Sequence, residues 1–115
     1  MAKAVRSSKK SGSGSEAAAG EGGRMDSTAI ERALANMPEW AEVGGSIQRT
    51  FGFPNFVAAM EFVNKVAAAA EADQHHPDIL IRYNKVTMSL NTHDAGGITA
   101  KDFALAAKMD AMVAG

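Results

Sequence analysis

The apolar positions along this chain change period repeatedly, and each change marks an element. Ile30, Leu34 and Met37 recur at helical spacing behind Asp26 and Ser27, two residues suited to cap a helix N-terminus. They predict a first amphipathic helix that Pro38 ends. From Trp40, the run W-A-E-V-G-G-S-I-Q-R-T-F-G-F predicts two short strands around a turn at Gly44–Gly45. Phe53-Pro54-Asn55 breaks that pattern, and Asn55 can cap a second helix starting at Phe56. Phe56, Met60, Val63, Ala67 and Ala70 give its apolar stripe, with an end expected around Glu71 to Asp73. After Pro77 the period shortens to that of a strand. Ile79, Ile81 and Tyr83 alternate with Leu80 and Arg82, and Val86, Met88 and Leu90 alternate with Thr87, Ser89 and Asn91. This predicts a second hairpin turning at Asn84–Lys85. Gly96–Gly97 makes a loop. Thr99 then caps a third helix, with Asp102 placed as in a capping box, and Phe103, Ala106, Ala107, Asp110 and Met112 carry that helix to the end.

Hairpins set between helices predict an α+β fold. The expected architecture is two-layered, a four-stranded antiparallel sheet with three helices on one face, in the order α-β-β-α-β-β-α. Only one face of the last strand is apolar, so one sheet face is covered and the other more open. An open face and two sheet edges are commonly managed by pairing of subunits, which predicts a homo-oligomer.

Composition changes this picture at one end. Residues 1–24 contain no Leu, Ile, Phe, Trp or Tyr. They cannot bury enough apolar surface to offset their ordering entropy, so a disordered, basic Ser/Gly/Ala-rich tail is expected over 1–24 and the folded domain over 25–115. The overall charge is −1. The tail holds five basic and two acidic residues, a net of +3, which leaves −4 on the remainder. An acidic body argues against nucleic acid as a ligand. There is no cysteine, so disulfides, thiol nucleophiles and cysteine-ligated metals are excluded. No apolar run has the length of a membrane span, and no secretory signal opens the chain. These features predict a cytoplasmic protein with no membrane partner.

The stretch from Glu71 to Asp102 gathers the chemistry. It holds all three histidines, His75, His76 and His93, and the only tyrosine, Tyr83. Histidine titrates near neutrality and can give or take a proton at working pH. If the second helix persists, Glu71 lies one turn before His75 and can orient its ring. Pro77 holds the backbone of His76 extended. Each residue also has a plainer reading. Asp102 suits any helix first turn, Glu71 a solvated helix face, and Tyr83 and Trp40 a core or rim. A zinc hydrolase is the competing chemistry, but adjacent histidines seldom face one ion and no i,i+4 histidine pair occurs. No nucleophile elbow or phosphate-cradling glycine loop is present.

Glu71, His75-His76-Pro77, Tyr83, His93 and Asp102, at their spacings, resemble the signature of the pterin-4a-carbinolamine dehydratases. Y-N-K-V at 83–86, S-L-N-T-H-D at 89–94 and the F-G-F-P-N-F segment are similar to that family too. The resemblance covers about residues 27–113. It implies removal of water from a 4a-hydroxytetrahydropterin, such as 4a-hydroxytetrahydrobiopterin, to give the quinonoid dihydropterin. That step belongs to tetrahydrobiopterin recycling, with a functional link to an aromatic amino acid hydroxylase. It also implies no metal or organic cofactor and assembly as a homodimer or homotetramer. The catalytic residues it implies are His75, His93 and His76, with His75 and His93 the acid–base pair and His76 chiefly binding substrate. Glu71 and Asp102 would orient histidines or meet the polar edge of the pterin, and Trp40 would line the pocket. One vertebrate member is also a dimerisation cofactor for a transcription factor, so a non-enzymatic interaction protein is the alternative.

Overall fold

The computed structural model describes residues 23–114. Most of the tail expected over 1–24 therefore lies outside the described residues. The elements follow the expected order. Helix α1 spans Ser27–Ala35, β1 Ala41–Val43, β2 Ser46–Gly52, α2 Phe56–Asp73, β3 Asp78–Arg82, β4 Lys85–Leu90 and α3 Ala100–Ala114, with a short 3-10 turn at His93–Ala95. The helices start where the capping residues place them. The Asp26 carboxylate accepts the Ala29 N–H at 2.9 Å, and the Asn55 carbonyl accepts the Ala58 N–H at 2.8 Å. Such caps each contribute about 1 kcal/mol.

The strands form one antiparallel sheet in the order β1-β2-β4-β3. Register assigns its faces. Ile47 pairs with Leu90 and Phe51 with Val86, and these side chains enter the core with Met88. The helices complete that core with Ile30 of α1, Phe62 and Val66 of α2, and Leu105 and Met109 of α3. Full burial of each such side chain is worth about 1.5–3 kcal/mol. The opposite face carries polar pairs beside the exposed Leu80 and Val43. Gln48 Nε2 donates to Ser89 Oγ at 3.0 Å, and the Thr50 and Thr87 hydroxyls bond at 2.7 Å.

Three details differ from expectation. The buried stripe of α2 is Ala59, Phe62, Val66 and Ala70, whereas Phe56 is 46% exposed and Ala67 is also exposed. This helix is apolar around most of its circumference, so periodicity alone cannot choose which stripe packs. In α3 the buried positions are Asp102, Leu105, Ala106 and Met109, with Ala107 exposed, for the same reason. The second hairpin turns at Tyr83–Asn84, one residue before the expected Asn84–Lys85. Tyr83 takes a left-handed φ of 52°, and Asn84 is tied to Phe53 by its side-chain N–H at 2.7 Å and by its carbonyl at 2.9 Å. That tie to a distant loop fixes the register of the turn and overrides the alternation that would have kept Tyr83 in the strand.

Candidate active site

The end of α2 builds one wall of the site. After Asp73 the chain takes a left-handed residue, Gln74, at φ 52° and ψ 42°. The His75 N–H then reaches back to the Ala70 carbonyl at 3.1 Å and the Gln74 N–H to that of Glu71 at 3.2 Å. This pairing is a Schellman motif, which satisfies the last helical carbonyls and reverses the chain. The reversal decides the histidine partners. Glu71 does not meet His75, as continued helix would require. Its Oε2 instead bonds His76 Nε2 at 2.6 Å, with both side chains more than half exposed.

His75 is turned inward. Its Nε2 lies 2.5 Å from Asp102 Oδ1, its own side chain is 11% exposed, and that of Asp102 is 0% exposed. Asp102 stands in the first turn of α3, three residues after the cap Thr99. The capping box forms: Asp102 Oδ2 accepts the Thr99 N–H at 2.9 Å and Thr99 Oγ1 accepts the Lys101 N–H at 3.2 Å. Asp102 Oδ2 also accepts the Thr92 hydroxyl at 2.9 Å, and the two threonine hydroxyls bond at 2.6 Å.

The donors in this buried cluster can be ordered. The Thr92 proton goes to Asp102, so the Thr99 hydroxyl donates to Thr92 and keeps its lone pairs for the Lys101 N–H. Oδ2 thus only accepts, and an ionised carboxylate accepts at both oxygens. With Asp102 ionised, Oδ1 takes the proton of His75 Nε2. In neutral His75 this assigns the tautomer, and Nδ1 is left as the ring's proton acceptor.

His93 completes the group from a third element. It opens the 3-10 turn that follows β4, and it is exposed. The three histidines line one cleft of about 270 Å³ with Gln74, Asn91, Thr92, Asp94 and Lys101. A larger hollow of about 560 Å³ lies at the β3–β4 turn, lined by Thr50, Leu80, Arg82, Tyr83, Asn84, Lys85 and Thr87. No histidine or carboxylate lines it, so the histidines gather at the smaller cleft. Among the described residues no three His, Asp or Glu side chains are grouped to hold a metal ion.

Two expected site residues stand differently. Asp102 lies beneath the cleft rather than on its surface. With no exposed area it meets the cleft only through His75 and Thr92, which line it. Trp40 is not brought to the group at all. It is 4% exposed, packs edge-on to Phe51 at 6.0 Å, and donates its Nε1–H to Asp110 at 2.9 Å. Asp110 also takes Arg49 Nη1 at 2.7 Å, so this trio ties α3 to the sheet. Conversely, Thr92 escaped the sequence reading. Its signal was parity: after Val86, Met88 and Leu90, Thr92 is the next inward position.

This is an α+β two-layer protein with a histidine-lined cleft backed by a buried carboxylate. The sequence profile of the pterin 4 alpha carbinolamine dehydratase family matches residues 23–112, and the chain belongs to that family. It is 55% identical over 87 residues to a Picosynechococcus protein named "Putative pterin-4-alpha-carbinolamine dehydratase", covering 76% of this chain and 95% of that protein. An Acidobacterium capsulatum protein of the same name is 54% identical over 85 residues, covering 74% of this chain and 92% of that one. Among solved structures, a transcriptional coactivator/pterin dehydratase from Brucella melitensis superposes with a TM-score of 0.75 at 34% identity, over 77% of this chain and 97% of that one. A pterin dehydratase-like protein described as a RuBisCO assembly factor in the alpha-carboxysome gives a TM-score of 0.57 at 25% identity, over 66% of this chain and 90% of that one.

Proposed function

We propose that this protein dehydrates 4a-hydroxytetrahydropterins, 4a-hydroxytetrahydrobiopterin among them, to the quinonoid dihydropterin in the recycling of tetrahydrobiopterin. The observation that carries this reading is the cleft shared by His75, His76 and His93 in a chain of this family. Hydroxide is a poor leaving group. One histidine protonates the 4a-oxygen as the C–O bond breaks, and another accepts a proton from a pterin ring nitrogen. Water leaves, and no electrons enter or depart. His75 and His93 are assigned this acid–base pair. The ordered donors around Asp102 support His75 Nδ1 as the atom that exchanges its proton with the cleft. His76, held by Glu71 at the rim, is assigned to substrate binding. Asp102 acts through His75, as a positioning residue.

General acid–base catalysis contributes about 10²–10⁴-fold. His75→Ala and His93→Ala are each expected to slow dehydration by a factor in that range. The assay follows loss of the absorbance of freshly generated 4a-hydroxytetrahydropterin. Wild-type protein that leaves the uncatalysed rate unchanged would overturn the proposal.

The same reading includes a cytoplasmic homo-oligomer. No helix among the described residues is long and apolar enough to cross a membrane. Phe56, Val57 and Val113 expose apolar surface at 46%, 65% and 38%, which supports self-association. Light scattering that returns a monomer at micromolar concentration would remove the oligomer. The likeness to a coactivator/dehydratase and to an assembly factor supports a second reading, a partner-binding role. Its mark is a phenotype lost on substituting Phe56 and Val57 but kept on substituting His75 and His93.

A further inference from the structure

Gly97 lacks a side chain although its backbone does not demand one. Gly44, Gly45 and Gly96 have φ of 57°, 85° and 73°, in the left-handed region that glycine tolerates without strain. Gly97 does not. What crowds Gly97 is another side chain. A Cβ built there would stand 2.9 Å from Arg24 Cδ and 3.0 Å from Arg24 Cγ. Carbon atoms pack at an optimum of about 3.5–4.0 Å, so the contact has no room for a methyl group. A Cβ on Gly96 would stand 3.9 Å from Arg24 Nη1, so the guanidinium end runs on over Gly96. The next residue pins this arrangement: the Met25 N–H donates to the Ile98 carbonyl at 2.8 Å.

The loop that Arg24 covers is the one that carries His93. Thr92 and Gly97 pair across an antiparallel bridge, with the Thr92 N–H donating to the Gly97 carbonyl at 2.8 Å. Between them the Ala95 and Gly96 N–H groups close the tight turn on the Thr92 and His93 carbonyls, each at 3.0 Å. Thr92 belongs to the Asp102 cluster and Gly97 meets Arg24. Both ends of the 92–97 loop are thus gripped, one by the side chains that hold His75 and the other by the Arg24 side chain.

We propose that Arg24 is a positioning residue for His93. Its aliphatic stem, laid across Gly97, sets where the 93–97 loop stands and so where the His93 ring meets the cleft. The kinetic consequence rests on the dehydratase reading; the ring position does not. Gly97→Ala makes the loop or the stem move. Because a displacement of about 1 Å can cost about 100-fold in rate, kcat is expected to fall roughly ten- to hundredfold in this variant. Arg24→Ala removes the stem and lowers kcat by several-fold, whereas Arg24→Met, which keeps a stem of similar bulk, stays near wild type. The double variant Arg24→Ala/Gly97→Ala recovers much of the rate lost in Gly97→Ala alone, because the methyl then has space.

Imidazole ¹H–¹⁵N spectra of each variant provide a readout that turnover does not touch. The His93 resonances are expected to shift in Gly97→Ala and return towards wild type in the double variant, while those of His76 stay in place. Unchanged His93 resonances in Gly97→Ala, or a double variant no closer to wild type, overturn the proposal. If the wild-type protein shows no dehydration, these spectra still decide it. If Gly97→Ala fails to fold by circular dichroism, Arg24→Ala against Arg24→Met decides it, and identical His93 resonances in those two variants count against it.

Discussion

Asp102→Asn separates the buried carboxylate's role in holding the fold from its role in setting a proton. The substitution preserves shape but leaves one accepting oxygen where there were two. The structure dictates how the amide will sit. Oδ2 faces the Thr99 N–H and the Thr92 hydroxyl, both at 2.9 Å, so the amide oxygen belongs there and the NH2 group faces His75. His75 Nε2 must then accept, and the ring proton moves to Nδ1, the atom assigned to exchange with substrate. Hydrogen bonds to charged groups contribute about 1.5–3 kcal/mol and neutral ones about 0.5–1.5 kcal/mol. Three bonds lose their charge, each weakening by about 1–1.5 kcal/mol, so about 3–4.5 kcal/mol of stability is expected to go. A domain of ordinary stability, about 5–15 kcal/mol, survives that loss. Activity does not survive it to the same degree: kcat is expected to drop about 10²–10³-fold, most of the range open to acid–base catalysis. Urea denaturation measures the first quantity, stopped-flow absorbance the second, and ¹⁵N imidazole shifts the tautomer. A variant that keeps kcat within about threefold of wild type while its His75 tautomer has switched would refute the assignment of His75 as a proton-transfer group.

Asp102→Ala leaves the Thr99 N–H and His75 without their acceptor at about 1–3 kcal/mol each and the Thr92 hydroxyl with only its bond to Thr99, so a larger loss of denaturation free energy than in Asp102→Asn is expected. Trp40→Phe removes the indole donor to Asp110, which retains Arg49; stability should fall by about 1 kcal/mol, and kcat/KM should stay within about twofold because Trp40 lies outside the cleft. Glu71→Gln weakens a hydrogen bond to His76 in which both side chains are more than half exposed, so its effect on denaturation should be below about 1 kcal/mol, with KM moving more than kcat. Tyr83→Gly relieves a left-handed residue whose side chain is 67% exposed, and should raise the urea midpoint by the equivalent of about 0.5–1 kcal/mol.

The parts of this fold that could be read from sequence are those set by neighbours in the chain. Asp26, Asn55 and Thr99 cap helices through bonds to residues two or three positions away, and each cap forms. What escaped reading depends on distant contacts. The partner of His75 is Asp102, 27 residues on, rather than Glu71 one turn before it. Helical spacing could not show this, because the left-handed Gln74 breaks the helix between Glu71 and His75. The hairpin register was likewise settled by Phe53, 31 residues before Asn84. The buried stripe of α2 was open because Phe56 and Phe62 are equally apolar, and only the sheet selects between them. The gathering of Glu71, His75, His76, His93 and Asp102 into one region was legible from their fixed spacing. The division of that set into an exposed rim and a buried support was not, since burial belongs to the assembled layers.

Asp102 fastens the first turn of α3 and steadies His75 with the same two oxygens. A lineage of this family that takes up another role is therefore not free to change these residues uniformly. His76, His93 and Glu71, all exposed, can be exchanged at little structural penalty. Asp102, Thr92 and Thr99 cannot, because a stable helix start depends on them. Descendants that have taken up another occupation should keep a fossil of the old one: an acid and two threonines, deep in the chain, beneath a rim that no longer carries histidines.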